Sequence, residues 1–176
     1  MTRKTYSPPL AFTPTVTYDP DNPNPQLPVK TDAQLRNRLS YLLTAAIQRQ
    51  IWLFFFDETQ RLIEPIMPMN DHPSDPHQLH ETEDLGQATF PRVFITRARQ
   101  VAAMIGAQSF VVVWERQGGR TLRADDRAWS RAFFEQSEGD DDTRDATSQA
   151  SMRALFLLHT TGLRQIHRRD LDEGLA

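Results

Sequence analysis

The chain has 176 residues, a formal net charge of −3, no cysteine, and 39% apolar residues. That length suits one domain plus a tail, and the missing cysteines exclude disulfides and thiolate metal sites, which fits a reducing compartment. No apolar run approaches the roughly 20 residues needed to span a bilayer, and the N-terminus lacks a signal-peptide core, so the expected location is the cytoplasm, away from membranes.

Residues 1–30 stand apart. Seven of the twelve prolines fall between Pro8 and Pro28, and none follows Pro91. Proline blocks helices and removes ladder donors, so this arm is expected to be extended. Its apolar residues Leu10, Phe12, Val16, Tyr18, Leu27 and Val29 suit an arm that packs on its own domain or on a neighbouring subunit; the plainer reading is a floppy tail.

A single α/β domain is expected over 31–168. Thr31-Asp32-Ala33-Gln34 carries a capping-box pattern, and Leu35, Leu39, Leu42, Leu43, Ala46 and Ile47 repeat at helical spacing, which predicts a helix from Asp32 to about Arg49. Ile51 to Phe56 is a short β-branched and aromatic run ending at Asp57-Glu58-Thr59-Gln60. It predicts a strand and turn, with Arg61 to Met67 as antiparallel partner. Pro65 and Pro68 place that partner at a sheet edge.

The polar stretch from Pro68 to Phe90 reads as one long loop. His72, His77 and His80 lie there among Asp71, Asp75, Glu81 and Glu83 and are weak metal-ligand candidates. Their spacing matches no zinc pattern, so no metal or cofactor is assigned.

Pro91 to about Ile105 predicts a second helix closed by Gly106. Ser109 to Glu115, Ser-Phe-Val-Val-Val-Trp-Glu, is a continuous apolar run and predicts the central buried strand. Asp125 to Gln136 predicts a third helix, with Asp125 and Asp126 in its first turn. Residues 138–149 read as a linker, 152–158 and 163–166 as two more strands, and 169–176 as a frayed end. The order α-β-β-α-β-α-β-β implies an α/β (α+β) fold: a mixed sheet of about five strands flanked by about three helices. Its strand-helix-strand crossover implies a parallel pair.

That layout resembles the JAB/MPN (JAMM) fold, in particular its RadC-like branch, over about residues 32–166. In that family the central strand ends in His-x-His-Pro-x-Gly, and Ser and Asp follow ahead of a helix. These residues hold zinc, and a glutamate on an earlier strand activates its water. Here the stretch reads Trp114-Glu115-Arg116-Gln117-Gly118-Gly119 and then Ala124-Asp125-Asp126. The resemblance puts Trp114 and Arg116 at the two histidine positions, Ala124 at the serine and Asp126, or Asp125, at the aspartate. Tryptophan has no lone pair to give and arginine stays protonated, so the resemblance implies a metal-free relative and no peptidase.

Three readings of function follow. The first is a non-catalytic interaction module that binds a protein partner or itself through the arm and the apolar hairpin, with Trp114, Glu115, Arg116, Asp125 and Asp126 as candidate ligand-binding residues. The second is a nucleic-acid-binding protein using a strip of Arg120, Arg123, Arg127 and Arg131; its plain alternative is a solvated helix face. The third is an enzyme using Glu115 with Asp125 and Asp126 as acid and base. No phosphate-binding loop, dinucleotide fingerprint or nucleophile elbow is present.

Overall fold

A computed structural model of the chain describes residues 24, 26–139 and 150–172. The arm up to residue 23 and the linker residues 140–149 lie outside the described residues, as do 173–176.

The described elements are α1 (Asp32–Leu42), β1 (Gln50–Phe56), β2 (Leu62–Met69), β3 (Leu79–Thr82), β4 (Gly86–Thr89), α2 (Phe90–Ile105), β5 (Ser109–Glu115), α3 (Ala124–Glu138), β6 (Ser151–His159) and β7 (Gly162–Ile166), then a 3-10 turn at Arg168–Leu171. Five strands form one mixed sheet in the order β2-β1-β5-β6-β7, and β3 and β4 form a separate hairpin. β5 sits at the centre, antiparallel to β1 and parallel to β6, so the expected parallel crossover is present. β2 is an edge strand, as its prolines lead one to expect, because an edge strand tolerates lost ladder donors.

The central strands are apolar on both sides because both faces are covered. One face, with Ile51, Leu53, Phe55, Phe110, Val112 and Trp114, packs against Phe94, Ala98 and Ala102 of α2 and Trp129 and Phe133 of α3. The other, with Phe54, Phe56, Val111, Val113 and Phe156, packs against Leu35 and Leu39 of α1. The aromatic run of β1 is therefore core, and Phe54, Phe55 and Phe56 are fully buried. Its partner β2 is more open, with Ile66 38% exposed.

Local signals place the helix ends. Thr31 accepts from the Gln34 amide while the Gln34 side chain accepts from the Thr31 amide, which closes the capping box. Gly106 ends α2 at φ 75°, a left-handed position that suits glycine.

Three expectations need correction. α1 stops at Leu42, about two turns short of Arg49, because the chain after it is recruited to the sheet. The Ala46 amide donates to the His159 carbonyl at 3.0 Å, and the Ile47 amide donates to the Glu115 carboxylate at 2.7 Å. The long loop is not continuous: β3 and β4 form a hairpin within it, turning at Gly86 with φ 62°. The packed unit also extends past both expected edges. Val29 is buried ahead of residue 31, and Leu171 is buried in the stretch expected to fray. Arg38 reaches back to the carbonyls of Asn24 and Leu27.

No helix among the described residues is long and apolar enough to cross a membrane. Leu39→Ala, which removes a fully buried side chain between α1 and the sheet, should destabilise the fold by about 2–5 kcal/mol in urea unfolding monitored by circular dichroism.

Candidate functional site

The candidate residues converge where β5 ends and α3 begins, but they separate onto two faces. Side chains alternate along a strand, so Trp114 and Arg116 project to one side and Glu115 to the other.

On the α3 side, Asp126 is the hub. It is the third residue of α3, and its Oδ2 accepts from the Arg123 amide at 2.8 Å, capping the helix. Its Oδ1 accepts from Trp114 Nε1 at 2.9 Å. Arg116 donates to it through Nε at 3.0 and 3.1 Å and through Nη2 at 2.6 Å. The remaining Arg116 N–H groups donate to the carbonyls of Gly119 at 2.7 Å and Thr121 at 2.9 Å. Both side chains are buried. Burial alone would raise the Asp126 pKa. The hydrogen bonds from Arg116, Arg123 and Trp114 outweigh that, and the carboxyl is held below the usual carboxylate range.

Glu115 belongs to the opposite face. Fully buried, it accepts from the amides of Ile47 at 2.7 Å and Gln48 at 3.3 Å, from Gln50 Nε2 at 2.6 Å and from Trp52 Nε1 at 2.6 Å. Four donors occupy its oxygens, so it fastens the α1–β1 connection to the sheet and is not placed beside Asp126. Asp125, more than half exposed, faces Arg49 at 3.8 Å. The three carboxylates proposed as an acid-base set therefore do not meet.

Above this network lies an aromatic nest that no local motif marks. Trp114 and Trp129 stack at 5.1 Å. His72 meets both edge-on, at 5.2 and 5.3 Å, and Phe90 lies 5.8 Å from Trp129. The Arg49 guanidinium sits over Trp114 at 5.1 Å, a cation–π contact, and donates to the Pro73 carbonyl at 3.4 Å. His72 thus packs as an aromatic plug, its ring nitrogens reaching no side-chain partner among the described residues. Burial, then the nearby Arg49, lower its pKa to about 4. The Asp71 carboxylate and the Met69 backbone act in the opposite direction and do not prevail.

The other candidate histidines are elsewhere. His77 is exposed and His80 lies half-buried on β3. Among the described residues no three His, Asp or Glu side chains come together in a way that would hold a metal ion. Zinc does not fit the positions the JAB/MPN resemblance points to. An indole and a protonated guanidinium offer no lone pair, and the one carboxylate is fully occupied by donors.

No protein-family model, curated protein or solved structure matches the chain.

The four residues of the arginine strip differ in their surroundings. Arg127 donates to the Leu122 carbonyl at 2.6 Å and Arg131 to the Leu171 carbonyl at 3.1 Å, so both fasten α3 to its surroundings. Arg120 and Arg123 are exposed beside the β5–α3 loop. At the opposite end of the sheet an open cleft of about 490 Å³ is lined by Lys30 and Arg153 alongside Asp32, Asp57 and Glu58, a surface of mixed charge.

Two outcomes test this geometry. Asp126→Asn removes the carboxylate from a buried arginine and should cost about 3–5 kcal/mol in urea unfolding. A cost below 1 kcal/mol, roughly that of a surface change, would contradict the hub. The second concerns pH. The folded protein keeps His72 neutral down to about 4, whereas the unfolded chain protonates it near 6.5. Its contribution to stability is complete above pH 6.5 and is lost as pH falls from there towards 4. His72→Phe should therefore flatten the decline in urea midpoint between pH 7 and pH 5. Part of the decline should persist, because His159 is also held below its usual pKa, by burial first and then by Arg116, Arg120 and Arg164.

Proposed function

We propose that the chain is a non-catalytic interaction module of JAB/MPN-like layout that binds a protein partner, with a second copy of itself as the first partner to test. The observation that carries this reading is the closure of the Trp114–Arg116–Asp126 network. In the resemblance these three positions hold a metal; here they bond to one another. A guanidinium supplies the positive charge beside the aspartate, and the indole fills the adjoining space against Trp129. Neither group releases or accepts a proton near neutral pH. Glu115, the other carboxylate at the strand end, is committed to four donors on the far face.

Exposed apolar side chains support the binding half of the reading. Tyr41, Leu42 and Ile47 are 57%, 40% and 72% exposed, and all lie at the end of α1 or in the connection to β1. The arm adds Leu10, Phe12, Val16 and Tyr18 from the sequence. Deleting residues 1–30 would also remove Val29 from the core, so the informative truncation stops at residue 23.

Size-exclusion chromatography with light scattering on the full chain and on residues 24–176 tests the proposal. The full chain should run as a dimer or larger, and the truncated chain or an Ile47→Asp variant should shift towards monomer. A full chain that is monomeric across the accessible concentration range would overturn self-association.

A further inference from the structure

The loop between β5 and α3 gathers more positive charge than its carboxylates neutralise. Arg116, Arg120, Arg123 and Arg164 meet there with Asp126 and Asp170. Arg116 is committed to Asp126. Arg164 donates to the Arg120 carbonyl at 3.1 Å and reaches Asp170 only at 3.9 Å. The guanidinium groups of Arg120 and Arg123 have no partner among the described residues.

The crowding is specific. Arg123 lies across Gly118, in the space where a Cβ would stand, and Arg116 Nη1 is 3.4 Å from that same point. Gly118 takes φ 109°, so glycine is required there both for the backbone and for the overlying arginine. Asp126 offsets the charge of Arg116, and the Arg123 guanidinium beside it has no carboxylate partner among the described residues. Burial, then the charges of Arg116, Arg120 and Arg164, lower the pKa of His159.

The backbone adds donors of the same kind. The Gly118 amide donates to Thr160 Oγ1 at 2.8 Å. The amides of Gly119, Arg120 and Thr121, which follow it, donate to no protein acceptor among the described residues, and all three residues are exposed. The first turn of α3 begins three residues later, with its own outward-facing amides.

We infer that this loop is a binding site for a phosphate group, held by Arg120, Arg123 and Arg164 together with the amides of Gly119, Arg120 and Thr121. Guanidinium donors along one loop, beside consecutive exposed amides, suit the multiple oxygens of a tetrahedral anion better than the two of a carboxylate. The site differs from the helix strip read from the sequence, since Arg127 and Arg131 are engaged with carbonyls of their own chain. It goes beyond the partner-binding proposal and does not depend on it. The phosphate has two possible sources, a free phosphate ester or the backbone of a nucleic acid.

Pyrophosphate and a single-stranded oligonucleotide are titrated separately into the full chain at low salt while backbone amide resonances are followed. The inference expects saturable shifts at Gly119, Arg120 and Thr121. Arg120→Gln and Arg123→Gln should each weaken binding about tenfold, the loss of one charge-assisted contact, while Arg131→Gln leaves it unchanged. Shifts with both probes, with oligonucleotide affinity falling steeply as salt rises, assign the phosphate to nucleic acid. Shifts with pyrophosphate alone assign it to a free ester. No saturable shift at these amides with either probe overturns the inference, and so does an equal loss in Arg131→Gln. The wild-type shifts decide the question even if a variant fails to fold.

Discussion

The end of the central strand depends on one buried carboxylate. Asp126 caps α3, neutralises Arg116 and receives the Trp114 indole. Burying a charge in a protein interior is expensive unless every lone pair is matched, and here each Asp126 oxygen has donors. Pairs of this kind add little net stability over a well-packed apolar substitute. What they impose is a single arrangement, because leaving either partner alone is far worse than keeping both. Arg116 in turn donates to the carbonyls of Gly119 and Thr121, so the loop after β5 is wrapped around its guanidinium. The position of the loop, the start of α3 and the tilt of Trp114 against Trp129 all follow from that one pair.

The two-residue period of the strand explains why the candidate carboxylates do not form a site. Trp114, Glu115 and Arg116 are consecutive, and a linear reading groups them. In a strand covered on both faces the middle residue points away from its neighbours. Glu115 consequently serves the α1 side, where it holds the amides of Ile47 and Gln48 and the side chains of Gln50 and Trp52. Those bonds also explain the early end of α1. The apolar spacing from Leu35 to Ile47 continues past Leu42, but a buried carboxylate that captures two backbone amides outweighs helix propensity over a few residues.

The architecture was legible in the sequence wherever a local signal was strong. The Thr31–Gln34 box, Gly106, the Val111–Val113 run and the prolines of β2 each act within a few residues, and each placed its element. The β3–β4 hairpin was missed because its strands are four residues long and mostly polar, with neither alternation nor an apolar run to mark them. The candidate site was legible as a place and illegible as a set. Asp126, Trp114 and Arg116 were all singled out, but their mutual bonds were not readable from spacing. His72 was considered as a ligand, and its role as an aromatic plug against Trp114 and Trp129 comes from packing between segments far apart in the chain. Arg49 marks the expected end of the first helix, yet it lies over the tryptophan pair because that helix ends at Leu42.

The charge balance at the strand end connects these observations. Asp126 is consumed internally by Arg116, and Asp125 faces Arg49 on the other side of the aromatic nest. Neither is left to neutralise the arginines that follow β5. With a net charge of −3 the chain has acidic residues to spare, yet among the described residues the only carboxylate paired with Arg120, Arg123 or Arg164 is that of Asp170, at the limit of an ion pair. A surplus of one sign on this loop, beside amides with no acceptor among the described residues, stays solvated in the isolated chain. The same buried pair that closes the interior to a metal thereby leaves an exposed cationic edge a few residues away.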